Sequence, residues 1–431
     1  MNCLSAFSIT PGRWALLVAV ALLAACGLPT SESADRANNR EYNLHYTLSP
    51  DPATATVLVE MRLQQPRDLV REISFPINDL VSDVGGDGDL RVHNDLVQWQ
   101  PPTNGGTLVW RVLVRKERGN DVFDALLNNE WGIFRAEDVI PRARTRTLKG
   151  STSRTTMAFD LPAGWSAISE YSATELPIVV NRAERRFDEP TGWIAMGKLG
   201  IRRETIAGTR VAIAAPQAHD VRRMDMLALL NWTLPELNEV IPNALPRLTI
   251  ISAGKPMWRG GLSAPASLFL HADRPLISEN ATSSLLHEVM HTALGLRPRE
   301  NNDWIVEGLA EYYSIELLRR GNAISPSRAK KAFARQAEWG AQKGAALCGG
   351  ESTAASTALA VTVFSRLNRE LLKKSDSKVD LDSLLPSLAN SVIDLNGLID
   401  LVESTVGVTP DTLHSDNLPG CSSMATANQE L

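Results

Sequence analysis

The chain has 431 residues, 44% of them hydrophobic and 22% charged, so it can bury a large core in about two or three domains. Its formal net charge is −5, and no dense run of lysine or arginine is present. Nucleic acid is therefore excluded as an expected partner, while composition alone indicates no oligomeric state.

The N-terminus predicts an export signal at residues 1–25. Arg13 precedes an apolar run, 14–25, that is too short for a comfortable membrane span. The Leu-Ala-Ala-Cys segment ending at Cys26 resembles a bacterial lipobox, which implies cleavage before Cys26 and its lipidation. The alternative is an ordinary signal peptide with an incidental cysteine. By analogy, Gly27 favours the periplasmic face of the outer membrane, with the membrane as a partner and residues 26–40 as a flexible tether.

The sequence pattern over residues 41–216 predicts a β-rich N-terminal region. Hydrophobic and polar residues alternate over 56–63, which is typical of a strand with one buried face. Further strands are predicted at 108–114, 156–161 and 209–215, with turn segments rich in glycine and proline between them. Short strands at this spacing predict a β-sandwich or a saddle-like sheet.

After residue 216 helical patterns dominate. A helix is predicted over 219–240, with a break or kink at Pro235, followed by strands at 247–253 and 267–271. Asn280 is the expected N-cap of a helix that ends at Gly295, and a second helix is predicted over 304–320. Further helices are expected at 325–346, 354–374, 381–389 and 395–404.

Two cysteines remain once the signal is removed and Cys26 is lipidated. In an oxidising periplasm, Cys348 and Cys421 are expected to form one disulfide that ties down the weakly patterned residues 411–431. The alternative is two free thiols.

The segment around residue 288 carries the pattern of a zinc site. On a helix, His287 and His291 lie one turn apart on the same face, where two neutral imidazoles can share one Zn²⁺. Glu288 beside them can take a proton from the attacking water, and Glu307 on the next helix is the natural third ligand. The alternative is a surface helix that binds no metal.

These motifs resemble those of the gluzincin metallopeptidases, in particular the aminopeptidase N-like and glycyl aminopeptidase families. The resemblance covers residues 285–317 and rests on His287-Glu288-x-x-His291 followed by Trp304-x-x-Glu307-Gly308-x-Ala310-x-Tyr312. It implies an α+β multidomain chain with a thermolysin-like zinc domain at 217–345 and a helical C-terminal region at 346–431.

The resemblance also implies roles for individual residues. His287, His291 and Glu307 would bind one Zn²⁺ per chain, and Glu288 would be the general base. Glu311 would fix the tautomer of a ligand imidazole, although it could instead be a solvated helix residue.

This chain departs from the aminopeptidase N-like group in three respects. The connection between His291 and Glu307 is shorter. The segment 259–265 lacks the glutamate with which that group binds the free amine of the substrate. No tyrosine follows Tyr313 to stabilise an oxyanion. Tyr312, His414 and His271 are the candidate substitutes for that tyrosine.

The predicted function is a zinc-dependent peptidase that hydrolyses peptide bonds in the bacterial cell envelope, with a peptide or protein as substrate. One alternative is an inactive zinc-binding scaffold used for recognition or envelope assembly. Another is hydrolysis of a non-peptide amide, such as a cell-wall component.

Overall fold

The computed structural model describes residues 40–171, 177–180, 187–342 and 344–421. The predicted signal peptide, Cys26 and nearly all of the tether lie outside these residues. Within them, none of the helices combines the length and the apolarity needed to cross a membrane.

The N-terminal part is built from three sheets. Their strand orders are β14-β12-β1-β2-β7-β4, β13-β15-β10-β9-β8 and β11-β3-β6-β5. The strands and one short helix are β1 (Glu41–Asp51), β2 (Thr56–Gln64), β3 (Val70–Pro76), β4 (Val81–Gly86), β5 (Asp89–His93), β6 (Leu96–Gln100), β7 (Gly105–Leu113), β8 (Arg115–Gly119), β9 (Val122–Leu127), β10 (Trp131–Arg135), α1 (Ala136–Val139), β11 (Arg144–Thr147), β12 (Thr152–Phe159), β13 (Ser166–Ile168), β14 (Ile178–Val179) and β15 (Trp193–Gly197).

Alternation in the sequence explains these strands. In β2, Val57, Val59, Met61 and Leu63 are buried, and the residues between them are less so. Val57 pairs with Val112 and Val59 with Trp110 on β7, so the buried faces of neighbouring strands coincide. The strands predicted at 56–63, 108–114 and 156–161 are confirmed.

A fourth sheet lies between the N-terminal sheets and the helices. Its order is β16-β17-β18-β20-β19, in which β17, β18 and β20 run parallel and β19 is an antiparallel edge strand. The strand predicted at 209–215 pairs with β18 here. The elements are β16 (Leu199–Ile206), β17 (Thr209–Pro216), α2 (Arg223–Val240), β18 (Arg247–Ala253), β19 (Gly261–Ala264) and β20 (Ser267–His271).

Helix α2 continues through Pro235, so the predicted break at this residue was wrong. Proline inside a helix removes one hydrogen bond and costs about 3 kcal/mol. The helix nevertheless buries eight residues, among them Leu230, Leu234 and Leu237, whereas Pro235 itself is exposed. Burial of this face offsets the local cost of the proline.

The C-terminal part is helical and shares one core with the fourth sheet, extending from Ile206 to Cys421. Helix α5 ends at Gly340, six residues earlier than predicted, where a side chain would meet the Leu359 backbone at 2.6 Å. The elements are α3 (Ser284–Leu294), β21 (Arg297–Pro298), α4 (Asp303–Arg320), α5 (Pro326–Gly340), α6 (Ala354–Lys374), α7 (Leu385–Leu388), β22 (Val392–Ile393), α8 (Leu395–Val406) and 3-10 turns at 382–384, 411–413 and 415–417.

The molecule is thus a mixed α+β protein with a sheet-rich N-terminal region and a helical C-terminal part, as predicted. A small core between the two parts contains Trp193 and Phe269, whose rings lie 5.4 Å apart. This contact brings the end of β10 close to the edge strand β19.

Candidate metal centre

Helix α3 positions His287, Glu288 and His291. Its N-cap is Ser283, whose Oγ accepts a hydrogen bond from the Leu286 N–H, and not Asn280 as predicted. The Asn280 side chain instead accepts a hydrogen bond from Arg335 at 2.7 Å. Gly295 ends the helix as predicted, in the left-handed conformation with φ of 54°.

Helix α4 positions Glu307 and Glu311 beside α3. Most of α4 is buried, and Gly308 lets it approach α6 closely, since a side chain at this position would meet Ala360 Cβ at 2.5 Å. Glu307 and Glu311 lie one turn apart on the partly exposed side that faces α3. The two helices therefore converge on one small volume.

Three side chains converge at the centre of this volume. His287 Nε2 and His291 Nε2 are 3.0 Å apart, and each lies 3.3 Å from an oxygen of Glu307. A tetrahedral zinc with ligands at about 2.0 Å holds neighbouring ligand atoms about 3.3 Å apart. The residues therefore fit Zn²⁺ as a group of two nitrogens and one carboxylate.

A chain of hydrogen bonds orients His287. Its Nδ1 lies 3.1 Å from Glu311 Oε2, and the buried Gln336 amide donates to Glu311 Oε1 at 3.1 Å. A proton on Nδ1 leaves Nε2 with a lone pair aimed at His291 and Glu307. In this tautomer Nε2 can bind a metal, and without a metal a proton on either Nε2 atom accommodates the 3.0 Å contact with His291.

The charges around His287 favour a positive charge at the centre. Burial by itself lowers the pKa of His287, but hydrogen bonds to Glu307 and Glu311 outweigh it and raise the pKa to about 10. Burial likewise opposes ionisation of Glu307, yet its bonds to His287 and His291 bring the pKa of this carboxyl far below its usual range. A proton or a metal cation can meet this demand, and Zn²⁺ would hold both imidazoles neutral.

Glu288 lies against the edge strand β19. Its side chain is largely buried, and a Cβ on Gly261 would come within 2.7 Å of its Cγ and Oε1. The absence of a side chain at residue 261 therefore makes room for the Glu288 carboxylate. This arrangement places a proton acceptor at the wall of the same cleft.

The cleft has a volume of about 620 Å³ and contains both the three converging side chains and Glu288. Strand β19 forms one wall, and the cleft also contains the positively charged side chains Arg135, Arg259 and Arg274. Sequence patterns did not identify these arginines as part of the cleft, and Arg135 lies 152 residues before His287 in the chain.

The three candidate oxyanion donors do not line this cleft. Tyr312 packs against Tyr313 and Phe333 on the opposite side of α4, and His414 lines a separate cavity with Cys348 and Cys421. His271 is buried on β20, where its Nδ1 accepts a hydrogen bond from the Asp273 N–H at 3.1 Å. The structure does not bring any of them together with Glu288.

The remaining predicted site residues are cysteines. Cys348 and Cys421 are joined by a disulfide with a Cα–Cα distance of 4.9 Å and a sequence separation of 73 residues. Cys26, the predicted lipidation site, lies outside the described residues.

The fold is similar to those of several solved structures. An aminopeptidase N family protein from Idiomarina loihiensis aligns with a TM-score of 0.59 and 15% identity over 86% of this chain and 72% of that one. Leukotriene A4 hydrolase from Saccharomyces cerevisiae aligns with a TM-score of 0.51 and 15% identity, over 85% of this chain and 64% of that one. Aminopeptidase A from Legionella pneumophila, in complex with aspartic acid, aligns with a TM-score of 0.53 and 11% identity, over 85% of this chain and 47% of that one.

At these identities the likeness establishes a common fold, and the predicted resemblance to aminopeptidase N-like proteins is confirmed at that level. The chain spans less than two thirds of the length of the yeast and Legionella proteins. No protein-family profile and no curated protein sequence matches it.

Proposed function

We propose that this protein is a zinc-dependent peptidase that cleaves peptide bonds in the bacterial cell envelope. The observation that carries the proposal is the convergence of His287, His291 and Glu307 within one cleft that also contains Glu288. The fold that the chain shares with an aminopeptidase N family protein and a leukotriene A4 hydrolase supports hydrolysis as the reaction class. Support for zinc in particular comes from the fit of the three donor atoms.

The residues of the cleft divide the chemical work. His287, His291 and Glu307 would hold Zn²⁺, which supplies Lewis acidity and lowers the pKa of water to about 7. Glu288 accepts a proton from the attacking water and returns it to the leaving nitrogen as the C–O bond forms and the C–N bond breaks. Glu311 keeps His287 in the tautomer that offers Nε2 to the metal.

Metal analysis beside peptide hydrolysis tests the proposal. The mature protein should contain about one zinc per chain and cleave members of a broad peptide library, with products read by mass spectrometry. Glu288→Gln should keep the zinc and lose activity about a thousandfold or more, because the amide cannot accept the proton. Glu279→Gln removes an exposed carboxylate outside the cleft lining and should behave as the unmutated protein.

A zinc-binding scaffold without turnover is the second candidate. It is favoured by one observation, namely that Tyr312, His271 and His414 all lie away from the cleft lining. A protein that binds zinc and cleaves nothing in the library would support this candidate against the peptidase.

We further propose that the mature protein is anchored by lipid on Cys26 at the periplasmic face of the outer membrane. Support comes from the apolar run 14–25 and the lipobox-like segment that ends at Cys26. Cys26→Ser should release the exported protein into the soluble periplasmic fraction, and incorporation of labelled fatty acid should stop. An unchanged membrane fraction would contradict the anchor.

A further inference from the structure

The cleft combines its metal-binding groups with three arginines, and these differ in how firmly they are held. Arg259 and Arg274 are exposed at the rim. Arg259 lies 4.0 Å from Asp273, at the limit of an ion pair between exposed groups. The Arg274 side chain makes no ion pair or hydrogen bond within the described residues.

Arg135 is held in place from several sides. Its Nη2 donates to the Ser263 carbonyl at 3.1 Å, and its guanidinium lies 5.1 Å from the centre of the Trp193 ring. Its backbone N–H donates to Asp138 Oδ2, which fixes the end of β10. A planar guanidinium fixed in this way loses little further freedom when it binds a second partner.

Arg135 has no carboxylate partner within the described part of the chain. It is half-buried, and one of its five N–H donors is used in the bond to Ser263. A partly desolvated charge without a counterion is unfavourable, and an anionic ligand would relieve it. Arginine binds carboxylates through two parallel hydrogen bonds, and a carboxylate is the anion that a peptide substrate offers.

The edge strand β19 contacts both Glu288 and Arg135 and so gives the spacing between them. Gly261 abuts Glu288, and the Ser263 carbonyl accepts the Arg135 bond two residues along β19, or about 7 Å away. With Zn²⁺ bound, the metal end of the cleft would be taken by the scissile carbonyl and the attacking water, whereas the unused donors of Arg135 lie in the same cleft. A peptide that runs extended along β19 would therefore place such a group at Arg135 about two residues from the bond that is cleaved.

We propose that this cleft selects substrates carrying a carboxylate near the scissile bond and that Arg135 binds it, with Arg259 and Arg274 attracting it at the rim. This inference rests on the proposed function and names the substrate class of the same site. The carboxylate is either an acidic side chain or the C-terminal group of a peptide, since both present the same two oxygens.

Binding to zinc-loaded Glu288→Gln tests the inference without consuming the peptide. In one arm, peptides of one parent sequence with Glu or Gln at each position in turn are compared by calorimetry. In the other arm, peptides with a free or an amidated C-terminus are compared. The carboxylate form should bind about tenfold more tightly or better in at least one arm, and that arm identifies the source of the carboxylate.

Variants then assign the preference to Arg135. Arg135→Gln, added to Glu288→Gln, should bring the two affinities to within about twofold, whereas Arg91→Gln should leave the preference intact. Arg91 is a suitable control because it is an exposed arginine that pairs with Asp89 away from the cleft. Equal affinities in both arms, or a preference that survives Arg135→Gln, would overturn the proposal.

Two further measurements keep the result interpretable. If Arg135→Gln loses zinc or its folded circular dichroism, the exposed Arg274→Gln replaces it and should weaken the preference about threefold. An unchanged preference in that variant would count against the proposal. Hydrolysis by the unmutated protein is measured separately, so that a carboxylate preference without any turnover would reject the peptidase function and leave carboxylate recognition standing.

Discussion

At the scale of single residues, the proposed metal centre depends on groups that would not touch the metal. Glu311 bonds to His287 and is itself held by Gln336 on α5. Carboxylates in this position typically raise metal affinity by orienting the imidazole and increasing its basicity. A side chain on α5 therefore orients one on α4, which in turn orients the imidazole on α3.

Glu311→Gln should weaken zinc binding about 10- to 100-fold, because the amide is a poorer acceptor for the His287 Nδ1 proton. Titration against a competing chelator measures this affinity. Glu338→Gln, an exposed carboxylate on α5, is the matched control and should leave the affinity unchanged. Equal affinities for Glu311→Gln and the unmutated protein would show that Glu311 is an ordinary helix residue.

Gly261→Ala should lower activity about tenfold or more while zinc remains bound. The new Cβ would come within 2.7 Å of Glu288 Cγ and Oε1, so the carboxylate must move away from its place at the wall. Steady-state kinetics and zinc content, measured on the same preparation, separate the two effects. Gly85→Ala in β4, where the nearest atom to a new Cβ is Val109 Cγ2 at 3.6 Å, controls for the loss of a strand glycine.

The sequence could predict the four residues His287, Glu288, His291 and Glu307 because they lie within 21 positions on two patterned helices. It could not predict Gln336 or Arg135, whose neighbours are set by packing between distant segments. A glutamine on an amphipathic helix and an arginine at the end of a strand carry no pattern that marks them as part of a site.

At the scale of elements, Glu370 on α6 connects this helix to the turn at 411–413. Burial alone would raise the pKa of Glu370, but hydrogen bonds from Lys374, Thr412 and the Asp411 N–H lower it to about 2. A carboxylate with a lowered pKa stabilises the fold above its unfolded-state value, and this contribution is lost as the pH falls through the folded-state value. The relevant window runs from a pH of 4.5 down to about 2.

Glu370→Gln should therefore lower the free energy of unfolding by about 1 to 2 kcal/mol at pH 7. The difference from the unmutated protein should shrink as the pH is lowered from 4.5 towards 2. Urea unfolding at a series of pH values measures it. Glu403→Gln on α8, which weakens the acceptor for the Thr409 hydroxyl at an exposed site, should cost less. A difference that is independent of pH would contradict the assignment.

Local patterns predicted most elements but not their partners. The alternation of β17 indicates a strand, yet nothing in it distinguishes pairing with the N-terminal sheets from the observed pairing with β18. The predictions of a break at the proline in α2 and of a later end for α5 failed for the same reason, namely packing between elements. Packing against other elements outweighed the proline, and a close approach to α6 fixed the position of Gly340.

At the scale of the whole molecule, the Cys348–Cys421 disulfide closes a long loop around the helical part. Its sequence separation of 73 residues restricts the unfolded chain strongly, and loops of this size correspond to about 4 kcal/mol in the chain-entropy description. Both sulfurs are buried next to the core shared with the fourth sheet. The bond should therefore stabilise the region that carries the candidate metal centre.

Replacing both cysteines with serine should lower the free energy of unfolding by about 2 to 4 kcal/mol. Urea unfolding of the oxidised protein, the reduced protein and the double variant gives the comparison. Reduction should bring the unmutated protein close to the double variant and leave the variant itself unchanged. A variant as stable as the oxidised protein would show that the crosslink does not contribute.

The bond between Arg135 and the Ser263 carbonyl joins segments 128 residues apart in the chain. The groups that would carry out hydrolysis lie within residues 287–311, whereas the charge proposed to select the substrate is encoded in the sheet-rich region. Inherited changes near residue 135 could therefore alter which molecules are processed while the reaction itself is preserved. In this architecture, the proposed selection of the substrate and its proposed hydrolysis are encoded in separate parts of the gene.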